Sequence, residues 1–295
     1  MKYLVTGGAG FIGSNLALTL ESEKHQVTVI DNFSSGHLDN LKGFKGKIIK
    51  QDISKNFEIN ETFNAIFHQA AITDPRYGND EDLLKQNING FKNIIEIAEN
   101  GKSKLIYASS ASVYGNTATP QKEKQEKDIT CAYAQSKLIM DEMASHYFEK
   151  MHVVGLRYFN VFGPNEANKG RAASMIYHLI KQLQSNQIPK LFKFGEQKRD
   201  HIYVKDCVLA NILALDAKPG IYNVGTGIAT TFNDLLKLIN ESLGTNYTPN
   251  YIDMPYNPKT YQTNTQADTK KAESILKFKA RYPLKDAIKE YSGMI

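Results

Sequence analysis

The stretch KYLVTGGAGFIGSNLALTL, residues 2–20, decides the fold. A β-rich run, KYLVT, enters a glycine turn and leaves it as FIGSNLALTLES, whose apolar residues fall at helical spacing. A strand feeding a glycine turn and then a helix makes a phosphate cradle. Glycines let the backbone approach the anion, and the helix N-terminus offers N–H donors and a positive dipole. The glycines fit this pattern in two registers. Gly8, Gly10 and Gly13 give G-x-G-x-x-G, whereas Gly7, Gly10 and Gly13 give G-x-x-G-x-x-G. The next strand-like run, QVTVID, closes on Asp31, about the 20 residues on that a ribose-binding acid requires. A carboxylate there accepts the adenosine ribose hydroxyls and repels a 2′-phosphate, which makes NAD the first choice of cofactor. Asn32 follows with no arginine close behind; Lys42 is the basic residue that keeps NADP open.

Outward from this unit the chain alternates. KIIKQD, NAIFHQAA, KLIYASS and HVVGLRYFNV read as strands; EDLLKQNINGFKNIIEIAEN and AYAQSKLIMDEMASHYFEK read as helices. Such alternation predicts an α/β fold, a Rossmann-type doubly wound parallel sheet with ligands at the carboxyl ends of its strands. After about Gly163 the rhythm changes. A polar loop, GPNEANKGRAAS, precedes a helix over 174–184, and the short strands GIYNVGTG and TPNYID flank the helix TFNDLLKLINESL. The expected division is a dinucleotide-binding domain over 1–160 with a return around 200–223. A smaller mixed α/β substrate domain takes 161–199 and 224–295. The charged run QKEKQEKD, residues 121–128, reads as a solvated loop.

Composition narrows the function classes. The chain has 295 residues, 41% apolar and 23% charged, with a net charge of +5, which is ordinary for a globular protein able to bury its own core. Its basic residues are scattered, and no Lys/Arg stripe with interleaved aromatics argues for nucleic acid. No run reaches the roughly 20 apolar residues of a membrane span. Glycines and Asn15 break the only stretch resembling a signal peptide. Cys131 and Cys207 are far apart and lack metal-ligand spacing, so the expectation is a reduced, cytoplasmic protein without a metal.

The chemistry is carried by two further stretches. YASSASVYG places Ser109 and Ser110 at a strand end, and YAQSK places Tyr133 and Lys137 four apart on one helix face. A free tyrosine has a pKa of about 10 and must fall by roughly three units, about 4 kcal/mol, to act as a base near neutrality. An ammonium on the same face and a cationic nicotinamide both push it down. A serine hydroxyl holds the substrate oxygen, the tyrosine removes the alcohol proton, and the cofactor takes the hydride. His68, Tyr114, Tyr158 and the methionines read as structural residues, and Cys131 as pocket lining.

Taken together, TGGAGFIGSN, IDNFSSG, QDI, FHQAA, NINGFKN, YASSASVYG, YAQSK, RYFNVFGP and RDHIYVKD resemble the extended short-chain dehydrogenase/reductase family, the nucleotide-sugar epimerases and dehydratases. The resemblance spans almost the whole chain. It implies the second glycine register, Gly7, Gly10 and Gly13, and makes Ser110 the catalytic serine. It also implies cofactor contacts from Phe11, Ile12, Asp31, Asn32, Asp52, Ile53, Gln69, Ala70, Ala71 and Asn87, joined by Tyr133 and Lys137. For the substrate it implies Ser110, Lys169, Ser174 and Tyr261, with Asn160 and Arg199 on a diphosphate. The family often forms homodimers or higher oligomers through two helices, here 82–100 and 133–150.

Dehydratases of this family carry an Asp-Glu pair after the catalytic serine or threonine. Here those positions are Ala111 and Ser112, which leaves epimerase or simple oxidoreductase chemistry. RYFNVFGPNEANKGRAASMIYHL, PKLF and YQTNTQAD resemble the branch that inverts C6 of a nucleotide-linked heptose for lipopolysaccharide. In that branch a K-G lysine is a second acid/base, and the match is Lys169. One base per face, Tyr133 and Lys169, suits a reaction that returns hydride to the opposite face. A UDP-hexose 4-epimerase, which turns its keto-sugar past one tyrosine, needs only Ser110, Tyr133 and Lys137. Lys169 would then screen the diphosphate. A non-catalytic NAD sensor is a third reading, and loss of Tyr133 or Lys137 would have signalled it. The loop ITDPRYGND, with Pro75 and Arg76, belongs to the region that shapes the sugar pocket.

Overall fold

Runs such as KYLVT and AIFH are buried along nearly their whole length, because helices cover both faces of the sheet they build. The computed structural model describes every residue except Pro75, Arg76, Tyr256, Pro258, Lys259 and Thr260. The contribution of Pro75 and Arg76 to a sugar pocket therefore lies outside the described residues.

The first half of the chain runs β1 (Lys2–Thr6), α1 (Phe11–Ser22), β2 (Gln26–Asp31), β3 (Lys47–Lys50), β4 (Ala65–His68), α2 (Asp80–Asn100), β5 (Lys104–Ser110), α3 (Ala132–Ser145) and β6 (Val153–Tyr158). The second half runs β7 (Asn160–Phe162), α4 (Met175–Gln184), β8 (Lys190–Phe192), β9 (Lys198–Tyr203), α5 (Val204–Ala214), β10 (Gly220–Val224), β11 (Ala229–Thr231), α6 (Phe232–Leu243), β12 (Asn250–Ile252) and α7 (Leu284–Ser292). The main sheet has seven strands in the order β10-β6-β5-β4-β1-β2-β3, with parallel pairing throughout. The order reverses between β1 and β4, which opens a crevice at their carboxyl ends. β7, β9 and β11 form a second sheet, and β8 pairs with β12.

Two apolar layers sandwich the main sheet. Leu16, Ala17 and Leu20 of α1 meet Cys207, Ala210 and Ala214 of α5 on one face. Phe91, Ile94 and Ile95 of α2 meet Met140 and Ala144 of α3 on the other. The second half builds its own cluster from α4, α6 and α7 against Phe162 and Tyr203.

Local chemistry fixes the helix starts. Asn79 caps α2 by accepting from the Asp82 N–H, and Asp80, Glu81 and Asp82 complement the positive end of the helix dipole. α3 closes at Ser145 rather than reaching Lys150, because Tyr147, Phe148 and Met151 turn inward against the core in short-range turns. The charged run 121–128 is not a simple solvated loop. Gln121 is fully buried and pairs with the segment around Ala267, and the Glu123 carboxylate accepts from the Asn223 N–H. Glu123 and Lys127 found partners within the protein while Lys122, Lys124, Glu126 and Asp128 stay exposed, a division that composition alone does not reveal.

Candidate active site

The two glycine registers differ in which glycines face the cavity, not in steric demand. Gly7 follows β1 with a left-handed φ of +65°, and a Cβ there would lie 2.6 Å from the Ala70 backbone. A Cβ on Gly13 would lie 2.2 Å from the Gly7 carbonyl oxygen, so this glycine lets α1 pack on the turn. Gly10, Gly7 and Gly13 line the cavity, while Gly8 faces away from it onto Val29 of β2, with 2.6 Å left for a Cβ. No side chain caps the N-terminus of α1, whose first residues Phe11 and Ile12 also face the cavity. An uncapped helix start over three cavity-facing glycines fits a dinucleotide pyrophosphate.

Asp31 ends β2 with its carboxylate held by the Ala9 and Phe33 N–H groups at 2.9 and 2.8 Å. Asn32, Ser34, Ser35 and Gly36 line the cavity beside it. Lys42 is exposed and does not line it. Asp52 and Ile53 line the far end, where Asp52 accepts from the Ser54 N–H and hydroxyl and is held below the usual carboxylate range. Burial opposes that shift; the Ser54 hydrogen bonds and nearby Lys55 overcome it. Gln69, Ala70 and Ala71 follow β4 along the floor. The Gln69 amide is tied to Asn211 and Tyr158, and Asn87 clamps the backbone of Ile72 while donating to Ser136. Both residues therefore hold the wall as well as line it. His68 makes a 2.8 Å hydrogen bond with the Thr6 hydroxyl, and burial brings it down to about 3, so it is neutral.

Ser110 ends β5, and its hydroxyl accepts from the Ser112 N–H at 3.1 Å. Tyr133 and Lys137 rise from α3 into the same cavity, with the Lys137 Nζ 5.8 Å from the Tyr133 ring centre. Lys137 is buried and donates to the Ala108 carbonyl at 2.7 Å. Burial lowers it to about 8, and Asp141 partly offsets this. The expected fall in the Tyr133 pKa is not met by the protein alone. Burial pushes it up to about 12, against the lowering pull of a Ser110 hydrogen bond and with Cys131 adding to the rise. The missing positive charge is the one a nicotinamide ring would bring.

The opposite wall belongs to the second half of the chain. Asn160 of β7, Ser174 before α4, Arg199 of β9 and Tyr261 all line the cavity, whose volume is about 1380 Å³. Thr265 donates to the Asn160 side chain at 2.8 Å. Arg199 is buried, stacks over Tyr261 and Phe232 at 5.1 and 5.7 Å, and donates to the Lys198 carbonyl. No carboxylate among the described residues pairs with it, and burial lowers its pKa. Lys169 sits in a short 3₁₀ helix, Ala167–Ala172, whose base is pinned by the fully buried Glu166, which accepts from the Gly163 N–H, the Ser174 N–H and the Ser174 hydroxyl. The Lys169 Nζ lies 5.5 Å from the Phe11 ring centre, and burial lowers its pKa against the raising effects of Glu166 and Asp74.

Among the described residues the structure thus brings the candidate site residues to one cavity and leaves Gly8 and Lys42 outside it. It adds His178, His201, Phe192, Phe232 and Gln262. Two of these had a readable signal: His178 is one helical turn from Ser174, and His201 is one strand repeat from Arg199. Among the described residues no cluster of His, Cys, Asp and Glu is arranged to hold a metal, and no helix is long and apolar enough to cross a membrane.

A Rossmann-type sheet with a Ser-Tyr-Lys set on its crevice and a second lobe over it defines a class. The chain belongs to the NAD dependent epimerase/dehydratase family, whose model matches residues 3–225. It is 36% identical over 311 aligned positions to the ADP-L-glycero-D-manno-heptose-6-epimerase of Brachyspira hyodysenteriae, covering 99% of this chain and 97% of the relative. The solved ADP-L-glycero-D-manno-heptose-6-epimerase of Helicobacter pylori is similar at 39% identity and a TM-score of 0.93, covering 99% of this chain and 95% of that one. UDP-glucose 4-epimerase of Thermotoga maritima, solved with UDP-glucose, is similar at 27% identity and a TM-score of 0.91, over 99% and 98% of the two chains.

Proposed function

We propose that the protein is a nucleotide-sugar epimerase that inverts C6 of ADP-glycero-manno-heptose through a transient ketone. One observation carries this: Ser110, Tyr133 and Lys137 open on the same cavity as the uncapped glycine turn and the buried Arg199, which no carboxylate among the described residues pairs, with no acid at 111 or 112. The higher identity to heptose epimerases than to the 4-epimerase structure supports the sugar. NAD, when bound, supplies the hydride acceptor and later the donor. Gly7, Gly10, Gly13, Phe11 and Ile12 would hold its pyrophosphate. Asp31, beside neutral Asn32, Ser34 and Ser35, would hold its ribose and favour NAD over NADP.

Tyr133 takes the proton of the C6 hydroxyl, Ser110 holds that oxygen, and Lys137 supplies positive charge beneath the tyrosine. Arg199 and Asn160 bind the diphosphate, which gives the buried guanidinium the anion it lacks. Lys169 serves the alkoxide formed when hydride returns to the other face. Nuclear magnetic resonance of the products from ADP-D-glycero-D-manno-heptose and from UDP-glucose tests the reading. Inversion at C6 of the heptose is expected; turnover of the UDP-sugar alone would contradict it. Mass spectrometry of the cofactor released on denaturation is expected to give NAD rather than NADP.

A further inference from the structure

His201 has no part in the steps above, yet it lines the same cavity. It is 4% exposed, and neither ring nitrogen has a hydrogen-bond partner among the described residues. A neutral imidazole carries one donor and one acceptor. Leaving a buried polar group unpaired is costly, so each such group in a folded protein calls for a physical reason. Packing alone does not supply one. The ring stands edge-on to Phe162 with centroids 6.4 Å apart, a contact that a phenylalanine would make without the penalty.

The position of His201 supplies the reason. It follows Arg199 by two residues on β9 and therefore shares its face. Across the parallel register it is the partner of Asn160 on β7. The three residues thus line one wall of the cavity, where Arg199 has no carboxylate partner among the described residues. Burial and the Arg199 charge bring the imidazole down to about 3, so it is a neutral donor at any physiological pH. Both nitrogens are covered from solvent, so the ring must turn toward the cavity to reach a ligand. A ring that begins without hydrogen bonds breaks none in turning.

We propose that His201 is a substrate-binding residue whose ring N–H donates to a phosphate oxygen of the nucleoside diphosphate held by Arg199 and Asn160. This rests on reading the site as one for a nucleotide sugar. ADP is the probe, titrated calorimetrically into NAD-loaded protein so that the cofactor site is filled. His201→Phe keeps the ring and removes both polar atoms. It should melt no lower than the wild type and bind ADP about tenfold more weakly or worse. Equal ADP affinity in the two proteins overturns the role of His201 while leaving the nucleotide-sugar reading intact. No ADP binding by the NAD-loaded wild type overturns both. If the variant does not fold, histidine ¹⁵N resonances of the wild type decide. A shift of the His201 nitrogens on adding ADP is expected, and unchanged nitrogens overturn the proposal.

Discussion

Tyr133 is pulled in two directions. Burial raises its hydroxyl to about 12, and the hydrogen bond with Ser110 offsets only part of that. The Y-x-x-x-K spacing made the pair readable, but desolvation depends on what the rest of the chain packs around it, and spacing does not carry that information. The positive charge that a bound nicotinamide brings is what would lower the Tyr133 pKa. Tyr133→Phe should lower kcat by about a hundred- to ten-thousand-fold while thermal shift still reports NAD binding. Lys137 carries a pH signature. Its pKa is lowered to about 8, so the ammonium is present below that pH and lost above it. The rate should therefore decline as pH rises through about 8; a rate that stays flat well into the alkaline range would remove Lys137 from the charge set. Lys169→Ala should abolish most turnover of the heptose substrate in a product assay. Undiminished turnover would leave Tyr133 as the single base.

At the scale of elements, the strand–turn–helix unit was legible because one glycine per turn contact is a steric demand. Gly13→Ala puts a methyl carbon within 2.2 Å of the Gly7 carbonyl, and Gly8→Ala puts one 2.6 Å from Val29. Overpacking of this kind typically costs about 1–3 kcal/mol, so both variants should melt lower. Their response to NAD should differ. Gly8→Ala, altered on the side away from the cavity, should still be stabilised by the cofactor, and Gly13→Ala should not. Equal responses would return the turn to ambiguity. Other elements were hidden for physical reasons. β7 and β11 have three residues each, too short for a period to register. β9, KRDHIY, is polar along most of its length yet buried from Arg199 onward, because Asp200 is satisfied by the Thr226, Gly227 and Ala267 N–H groups. The run 121–128 misled in the same way: its partners are distant in sequence.

For the whole molecule, two halves of the chain meet at one cavity, and neither half holds the candidate site alone. The doubly wound sheet followed from alternation and α4 and α6 from helical spacing, whereas α7 and the way the three pack together had to be seen. α2 and α3 pack side by side and carry the half-buried apolar residues Leu84, Ile88, Ile139 and Met143. A homodimer that joins these helices to their copies would cover them. Sedimentation equilibrium should then give twice the chain mass, and Ile139→Lys should shift it toward the monomer; a wild-type monomer would contradict this pairing. On the proposed function, one cavity keeps the hydride from its departure from the sugar to its return to the same carbon. The direct measurement is turnover of ADP-D-glycero-D-manno-heptose carrying deuterium at C6, followed by nuclear magnetic resonance in ordinary water. Epimerised product that keeps its deuterium at C6 is the predicted result. Epimerised product with hydrogen from solvent at C6 would contradict the account.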